Sequence, residues 1–213
     1  MFQRYKNAKE FFSAPPCLNT YFRSGKISVN HDAGTYDIYS LTTLNNLLTK
    51  KIINQETPTL RFLIDVQGVA WFAEETLPGI KAPKHYQMTG KNINEAFCIT
   101  AGNIKFKNKK YCTLKNISHR SGDFHPSFHS LRLFLAFLIL HESSLPFKLP
   151  LILTIKEFNQ QGDLVFKHRW RKSKMRKWVY SFSEQTAYKK LLEQQPMSVK
   201  KVTYGALNYT PQA

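Results

Sequence analysis

The chain has 213 residues, and its 42% hydrophobic and 14% aromatic content is enough for a packed core, which argues against wholesale disorder. Its 31 Lys and Arg against 14 Asp and Glu give a formal net charge of +17. This charge favours nucleic acid, phosphoinositide headgroups or an acidic protein as surroundings, although a basic proteome without an anionic partner gives the same balance. Three cysteines without a CxxC pair argue against a disulfide framework and are typical of a reducing compartment. No segment has the apolar run of a signal peptide or a membrane span.

The N-terminal part shows mainly helical patterns. Residues 2–13 have helical composition and end at consecutive prolines, residues 25–34 leave room for a short strand, and leucines on one stripe predict a helix over residues 40–53. We therefore predict an N-terminal helical segment over residues 1–57, followed by one domain over residues 58–213.

Alternating apolar residues predict three hairpins. They cover residues 59–74 with a turn at Gln67-Gly68, residues 96–117 with a turn at Asn108-Lys109, and residues 151–166 with a turn at 160–163. Gly102 lies in the middle of a strand, which indicates a bulge or a close backbone approach. Residues 76–94 are predicted to form a loop, and a capping-box pattern at residues 181–184 predicts a helix over 182–194.

A very apolar helix begins near Ser127 and runs for about 15 residues, to His141. Because it is apolar nearly all round, it should be buried, and it is short for a bilayer crossing. The predicted fold class is α+β, with an antiparallel sheet of hairpins packed on this core helix and extra helices at the N- and C-termini. No βαβ unit is evident, which disfavours a doubly wound nucleotide-binding fold.

The loop before the core helix is rich in metal-ligand residue types. Four of them lie within eleven residues: His119, Asp123, His125 and His129. Their spacing fits no ligand pattern with a mechanical reason, and capping and turn hydrogen bonds use the same residue types. We assign no metal.

The same loop suits an anion. Ser121, Gly122 and Ser127 lie by the start of the helix, where free N–H groups and the positive end of the helix dipole converge, and Arg120 and His119 add charge or donors. An ordinary capped loop is the equally weighted alternative.

A second polar loop spans residues 84–90. Its side chains can bind a nicotinamide or a phosphate, or can simply plug the structure; those in question are His85, Tyr86 and Thr89. Cys98 is also a conceivable nucleophile, with His85 or His119 as its base. Cysteines in the middle of strands are usually buried and inert.

A basic stretch runs from residue 167 to 178 and contains seven cations and no acid: Lys167, Arg169, Arg171, Lys172, Lys174, Arg176 and Lys177. As a helix it would place Met175, Trp178 and Val179 on one face, which is typical of membrane-surface and calmodulin-target helices. Nucleic-acid bases can also stack on tryptophan beside such charges. A strand end followed by a solvated loop is the alternative.

Three motifs carry a resemblance over residues 60–140: His85-Tyr86-Gln87-Met88-Thr89-Gly90, the run from Cys98 to Ile104, and Ser121-Gly122-Asp123-Phe124-x-Pro126. They resemble a module of translocated (Dot/Icm, type IV) effectors of intracellular bacteria and of some bacterial toxins. They are also similar, more distantly, to plant IQ-motif calmodulin-binding proteins. Asp123-Phe124 stands where that module has His-Tyr, which puts any activity of that histidine in doubt. No IQ motif is visible, so calmodulin binding does not carry over.

The resemblance implies a virulence protein that is cytoplasmic before export and is secreted into the host-cell cytoplasm by a signal-peptide-independent route. Our first hypothesis is an effector of unknown biochemical activity. It would bind a host protein or an anionic ligand through a cleft between loops 85–90 and 118–127 and through the basic stretch.

The second hypothesis is an NAD-type transferase. Its catalytic residues would be His85, His119 and Asp123, and its cofactor would be held by Tyr86, Thr89, Arg120, Ser121 and Gly122. The third hypothesis is a nucleic-acid or phosphoinositide binder that uses the basic stretch. The identity of any cofactor stays open.

Overall fold

The computed structural model describes residues 11, 19–20, 34–53, 57–75, 82–91, 95–107, 112–181 and 195–204. The strands are β1 (Asn19–Thr20), β2 (Gly34–Ser40), β3 (Thr59–Ile64), β4 (Ala70–Glu74), β5 (Phe97–Cys98), β6 (Thr100–Lys107), β7 (Thr113–Ser118), β8 (Ile152–Phe158), β9 (Leu164–Arg171) and β10 (Val199–Tyr204). The α-helices are α1 (Leu44–Ile53), α2 (His85–Met88), α3 (Leu131–Leu140) and α4 (Lys172–Ser181), and short 3₁₀ turns span Phe128–Ser130 and Glu142–Ser144.

Eight strands form one sheet in the order β10-β2-β4-β3-β6-β7-β8-β9, while β1 and β5 form a separate two-stranded pair. Every neighbouring pair in the large sheet is antiparallel except β7 and β8, which are parallel. The predicted α+β class is confirmed. The expectation that no βαβ unit exists is wrong, because α3 lies between the parallel strands β7 and β8. Sequence patterns predict strands but do not say which strands become neighbours.

The predicted core helix is confirmed and is shorter than expected. The 3₁₀ turn Phe128–Ser130 comes first, and α3 then covers ten residues, all buried from Leu131 to Ile139. The Phe134 ring stacks on Phe62 of β3 with ring centroids 3.5 Å apart. Helix α4 adds Met175 and Val179 to the same apolar cluster. These contacts bury one face of the sheet.

Among the described residues, a second layer covers part of the opposite face of the sheet. A second apolar cluster includes Leu63 of β3, Trp71 of β4 and Ala101 of β6, and it is covered by Tyr86 of α2 and Phe124 of the loop after β7. Residues 76–94 were predicted to be a loop throughout, which is wrong at α2, where all four residues are buried. This packing brings the two polar loops to one side of the sheet.

The N-terminal prediction needs correction. Strand β2 lies inside the large sheet between β10 and β4, so residues 34–40 are not part of an appended helical segment. The predicted helix 40–53 is confirmed from Leu44 onward, after a turn in which the Ser40 backbone N–H donates to Thr43 Oγ1 at 3.0 Å. In the stretch 2–13 only Phe11 is described, as helical and buried. The stretch 25–33, the turn at 108–109 and the helix 182–194 lie outside the described residues.

Two predicted turns are confirmed by backbone geometry. Gly68 has φ +88° and Gly162 has φ +86°, and both angles lie in the region that glycine adopts without strain. These turns set the β3–β4 and β8–β9 hairpins. Within the described part of the chain, none of the helices is long and apolar enough to cross a membrane.

Candidate functional site

The two polar loops of the sequence lie side by side. The Tyr86 backbone N–H donates to Asp123 Oδ2 at 3.3 Å, which joins the start of α2 to the loop after β7. The α2 side chains at this contact are internal, since His85 is 4% exposed and Tyr86 is 2% exposed, and Asp123 is half-buried. The contact therefore closes the space between the loops instead of lining an open cleft.

His85 bonds to the centre of the sheet. Its Nε2 lies 2.9 Å from the Gly102 carbonyl oxygen, and because a carbonyl only accepts, Nε2 carries the proton. Burial lowers the pKa of His85 to about 4; the Arg61 charge also lowers it, and the Asp123 charge acts in the opposite direction. His85 is therefore neutral near pH 7 and serves as an internal hydrogen-bond donor.

Gly102 makes the close backbone approach that the sequence predicted. A Cβ added there would lie 2.0 Å from the Ser118 carbonyl oxygen and 3.0 Å from His119 Cα, so only glycine fits. The strand bulge falls elsewhere, between Lys105 and Phe106. The three motifs that carry the effector resemblance thus meet at one packed junction.

His119 uses both ring nitrogens inside the protein. Nδ1 donates to the Pro126 carbonyl oxygen at 2.7 Å, and Nε2 accepts from the Phe158 backbone N–H at 3.0 Å. Burial lowers its pKa, against the effects of the Pro126 hydrogen bond and the charge of Glu157. In this arrangement His119 has no free lone pair with which to act as a general base.

Two other candidate residues also make local hydrogen bonds, and a third is buried. Ser121 Oγ accepts from the Phe124 backbone N–H at 3.3 Å, and Thr89 Oγ1 donates to the Tyr86 carbonyl oxygen at 2.6 Å. Cys98 is fully buried. No group of three or more His, Cys, Asp or Glu among the described residues is placed to hold a metal ion.

The open space lies on the other side of the loop that follows β7. A cavity of about 680 Å³ separates this loop from the β8–β9 turn. It is lined by residues 119–122, 125–129 and 157–162. Because β7 and β8 are parallel, their carboxyl ends meet here beside the start of α3, which is where ligands commonly bind in sheets with parallel strands.

The eight predicted catalytic and cofactor-binding residues divide into those that line this cavity and those that do not. His119, Arg120, Ser121 and Gly122 line the cavity, whereas the remaining four, His85, Tyr86, Thr89 and Asp123, are not among its lining residues. The Arg120 guanidinium lies 5.7 Å from the centre of the Phe158 ring, a cation–π distance.

A basic surface adjoins the cavity. Residues on directly opposite positions of neighbouring strands share a face, and alternate residues of one strand do so too. Lys156 is opposite both Ser118 and Lys167, and Thr154 is opposite Arg169. We call the resulting set of seven cations on strands β6 to β9 the basic face: Lys105, Lys107, Lys115, Lys156, Lys167, Arg169 and Arg171.

The basic face lies on the same side of the sheet as the second apolar cluster, beyond α2. Lys105 is four residues after Ala101 along β6, and residues at an even spacing in a strand share a face. All seven cations are exposed except Lys156, which is half-buried. Burial lowers the pKa of Lys156, and the positive charges of three neighbours on the face lower it further: Lys105, Lys167 and Lys115. The cations are thus close enough to repel one another.

No acidic side chain offsets this charge within strands β6 to β9. Their one acidic residue, Glu157, points to the other face, where its Oε2 lies 2.8 Å from His168 Nε2. The adjoining Asp163 is held in the turn, where its Oδ2 accepts a hydrogen bond from Asn159 Nδ2 at 3.3 Å. The basic face is therefore a continuous region of positive potential.

The basic stretch predicted from the sequence is divided by the fold. Residues up to Arg171 belong to β9, and residues from Lys172 belong to α4. Glu142, at the end of α3, lies 2.5 Å from Lys172 Nζ and 2.5 Å from an Arg176 guanidinium nitrogen. The cations of β9 and those of α4 therefore have different surroundings, because on α4 Lys172 and Arg176 are paired with Glu142.

The apolar side of α4 is used by the core. Met175 and Val179 are fully buried and Trp178 packs against the same cluster. This apolar side is therefore not free for a membrane surface or for calmodulin, and that interpretation of the basic stretch is wrong for the folded chain.

Sequence reasoning missed half of the site. It did not single out four of the cations, Lys105, Lys107, Lys115 and Lys156, or the aromatic and amide side chains that follow Lys156. The alternation Lys105-Phe106-Lys107 predicts one solvated strand face, but neighbouring strands supply the remaining charges, and their order is not visible locally.

The chain matches no protein-family model, no curated protein and no solved structure. The resemblance to translocated effectors therefore remains an expectation from the motifs.

Proposed function

We propose that this protein binds nucleic acid on its basic face. The observation that carries the proposal is the set of seven cations on strands β6 to β9, which themselves place no acidic side chain on that face. A phosphate backbone brought onto such a surface releases condensed counterions, which supplies most of the affinity of sequence-independent binding. The +17 net charge of the chain acts in the same direction over longer distances.

Charge alone would also suit an anionic bilayer, but the side chains favour a nucleic acid. Around Lys156 the face consists of cations and the polar residues Thr154, Asn116 and Ser118, with no large apolar side chain there to insert among lipids. The exposed Ile152 is opposite Arg171 on this face, and with the exposed Leu151 it lies at the end of β8 away from the cavity. Aromatic and amide side chains, which suit bases, stand at the other end.

The effector hypothesis enters this proposal through the motifs alone. Their resemblance to translocated effectors supports a target inside a host cell, and a host nucleic acid is the target that the basic face fits. The transferase hypothesis gains no support from the geometry, because His85 is buried and neutral and His119 uses both ring nitrogens.

Binding of a fluorescent 20-nucleotide single strand tests the proposal. The triple variant Lys105→Gln, Lys167→Gln, Arg169→Gln removes three exposed charges from the face, and we expect the affinity at low salt to fall about tenfold or more. The matched control removes three exposed lysines elsewhere: Lys50→Gln, Lys91→Gln, Lys201→Gln. Because Lys201 lies on β10, at the far edge of the sheet from β9, this control should bind nearly as the unmodified protein does.

Two results would overturn the proposal. Equal losses in the two triple variants would show that only net charge matters and that the face is not a site. Tight binding to phosphatidylserine vesicles, lost in Leu151→Asn, together with weak binding to the oligonucleotide, would identify a bilayer as the partner.

A further inference from the structure

We propose that the cavity beside the basic face holds one unstacked nucleotide of a bound single strand. In this arrangement the base lies against Phe158 and its phosphate lies near Arg120. This inference rests on the proposed function and goes beyond it, because the basic face alone would bind single strands and duplexes by their charge.

The position of the cavity leads to this inference. Lys156 belongs to the basic face and lies two residues before Phe158 on β8. Ser118, which is opposite Lys156, lies two residues before Arg120. Strands β7 and β8 therefore pass from the basic face directly into the wall of the cavity. A nucleic-acid strand that follows the face reaches the cavity.

The size and chemistry of the cavity suit a nucleotide. Its volume of about 680 Å³ falls within the range of small-molecule sites, roughly 300–1,000 Å³. The half-buried Phe158 ring offers an apolar surface for stacking, and the exposed Arg120 guanidinium lies over the ring, 5.7 Å from its centre. The exposed amides of Gln160 and Gln161 supply donors and acceptors for the edge of any base.

Gly122 keeps the other wall open. A Cβ added there would meet no atom within 4 Å, so the space beside it is free. A larger side chain at this position can therefore fill part of the cavity without disturbing the fold, and this makes Gly122 a useful position for a test.

Only an unstacked base can enter the cavity. In a duplex the bases are stacked and paired, and extracting one costs several kcal/mol. Stacking of one base on an aromatic side chain contributes about 1–3 kcal/mol in single-strand binding, which corresponds to about 5- to 150-fold in affinity. The cavity therefore predicts a preference for single strands with bases over strands that have only the sugar-phosphate backbone.

Three 12-nucleotide probes test this inference: a single strand, the same strand with abasic sites throughout, and a duplex. We expect the unmodified protein to bind the single strand about tenfold more tightly than the abasic strand. Phe158→Leu keeps the charge and most of the side-chain volume, and Gly122→Leu narrows the cavity. In both variants the ratio of the affinity for the single strand to the affinity for the abasic strand should be close to one. The affinity for the abasic strand itself should stay the same.

The outcomes separate the two proposals. Equal binding of all three probes, unchanged in both variants, would overturn the nucleotide site and leave the basic face standing. A preference for the single strand that persists in both variants would also overturn it, since another surface would then contact the bases. Failure of every probe to bind would instead overturn the proposed function.

Discussion

His85 Nε2 donates a hydrogen bond to the Gly102 carbonyl oxygen across 2.9 Å, which ties α2 to the centre of β6. His85 belongs to the first of the three motifs and Gly102 to the second, while the third motif packs beside them through Asp123. The motifs therefore share a structural junction, and the open cavity and the basic face lie next to it.

Acid should weaken the fold through His85. Its folded-state pKa of about 4 is below the ordinary value of 6.5, so the unfolded chain binds more protons between these pH values. The stability from the neutral, buried ring is complete above pH 6.5 and is lost as the pH falls towards 4, by an amount on the order of 3 kcal/mol. Urea unfolding at several pH values measures this.

The variant His85→Gln provides the comparison. Glutamine keeps a donor but does not titrate, so the fall in stability between pH 6.5 and 4 should be smaller than in the unmodified protein. Part of the slope should remain, because burial lowers the pKa of His119 as well. An identical dependence of stability on pH in both proteins would show that His85 is not buried as described.

Gly102→Ala should be strongly destabilising. The added Cβ would lie 2.0 Å from the Ser118 carbonyl oxygen, and a backbone atom in a paired strand cannot move aside cheaply. We expect a loss of about 3 kcal/mol or more in the free energy of unfolding. Gly122→Ala is the matched control, since its Cβ would meet no atom within 4 Å, and its stability should stay within about 0.5 kcal/mol.

Glu142 should link α3 to α4. Burial alone would raise the pKa of Glu142, but hydrogen bonds from Lys172 and Arg176 outweigh it and lower the pKa below its ordinary 4.5. Its contribution is therefore present above pH 4.5 and is lost as the pH falls further. Glu142→Gln should cost about 1 kcal/mol near pH 7, whereas Lys174→Gln, an exposed lysine on α4, should be neutral. Thermal unfolding of the two variants distinguishes them.

The salt dependence of binding should show which cations contact a nucleic acid. For a single strand, log K falls with log salt, and each lost phosphate contact makes this negative slope shallower by about 0.7. The pair Lys167→Gln, Arg169→Gln on β9 should therefore make the slope shallower by about 1.4. The pair Lys174→Gln, Lys177→Gln removes the same amount of charge from α4, outside the sheet, and should change the slope little. A larger change for the helix pair would move the site from the sheet to α4.

Features that depend on a few neighbouring residues were predictable. The turns at Gly68 and Gly162 follow from glycine at positions of positive φ, and the burial of α3 follows from its apolar residues on every side. The close approach at Gly102 followed from glycine in the middle of a strand. The strongly basic character of β9 was likewise evident from its composition.

The roles of individual side chains were not predictable. His85 and His119 have the residue type of an acid–base catalyst, yet their hydrogen bonds go to the backbone at Gly102, Pro126 and Phe158. A histidine has the same appearance in a sequence whether its partner is a substrate or a carbonyl group. Burial and partners, which decide between the two, come from segments far away along the chain.

The sequence by itself determined the α+β class, the hairpins, the buried helix and the excess of positive charge, because periodicity, turn residues and composition act over short stretches. Only the tertiary structure decided that β7 pairs with β8 in parallel. That pairing opens the cavity between the ends of the two strands and sets Lys156 among the cations of its neighbours. The reason is physical: strand order depends on the packing of the whole sheet against α3, and no local pattern encodes it.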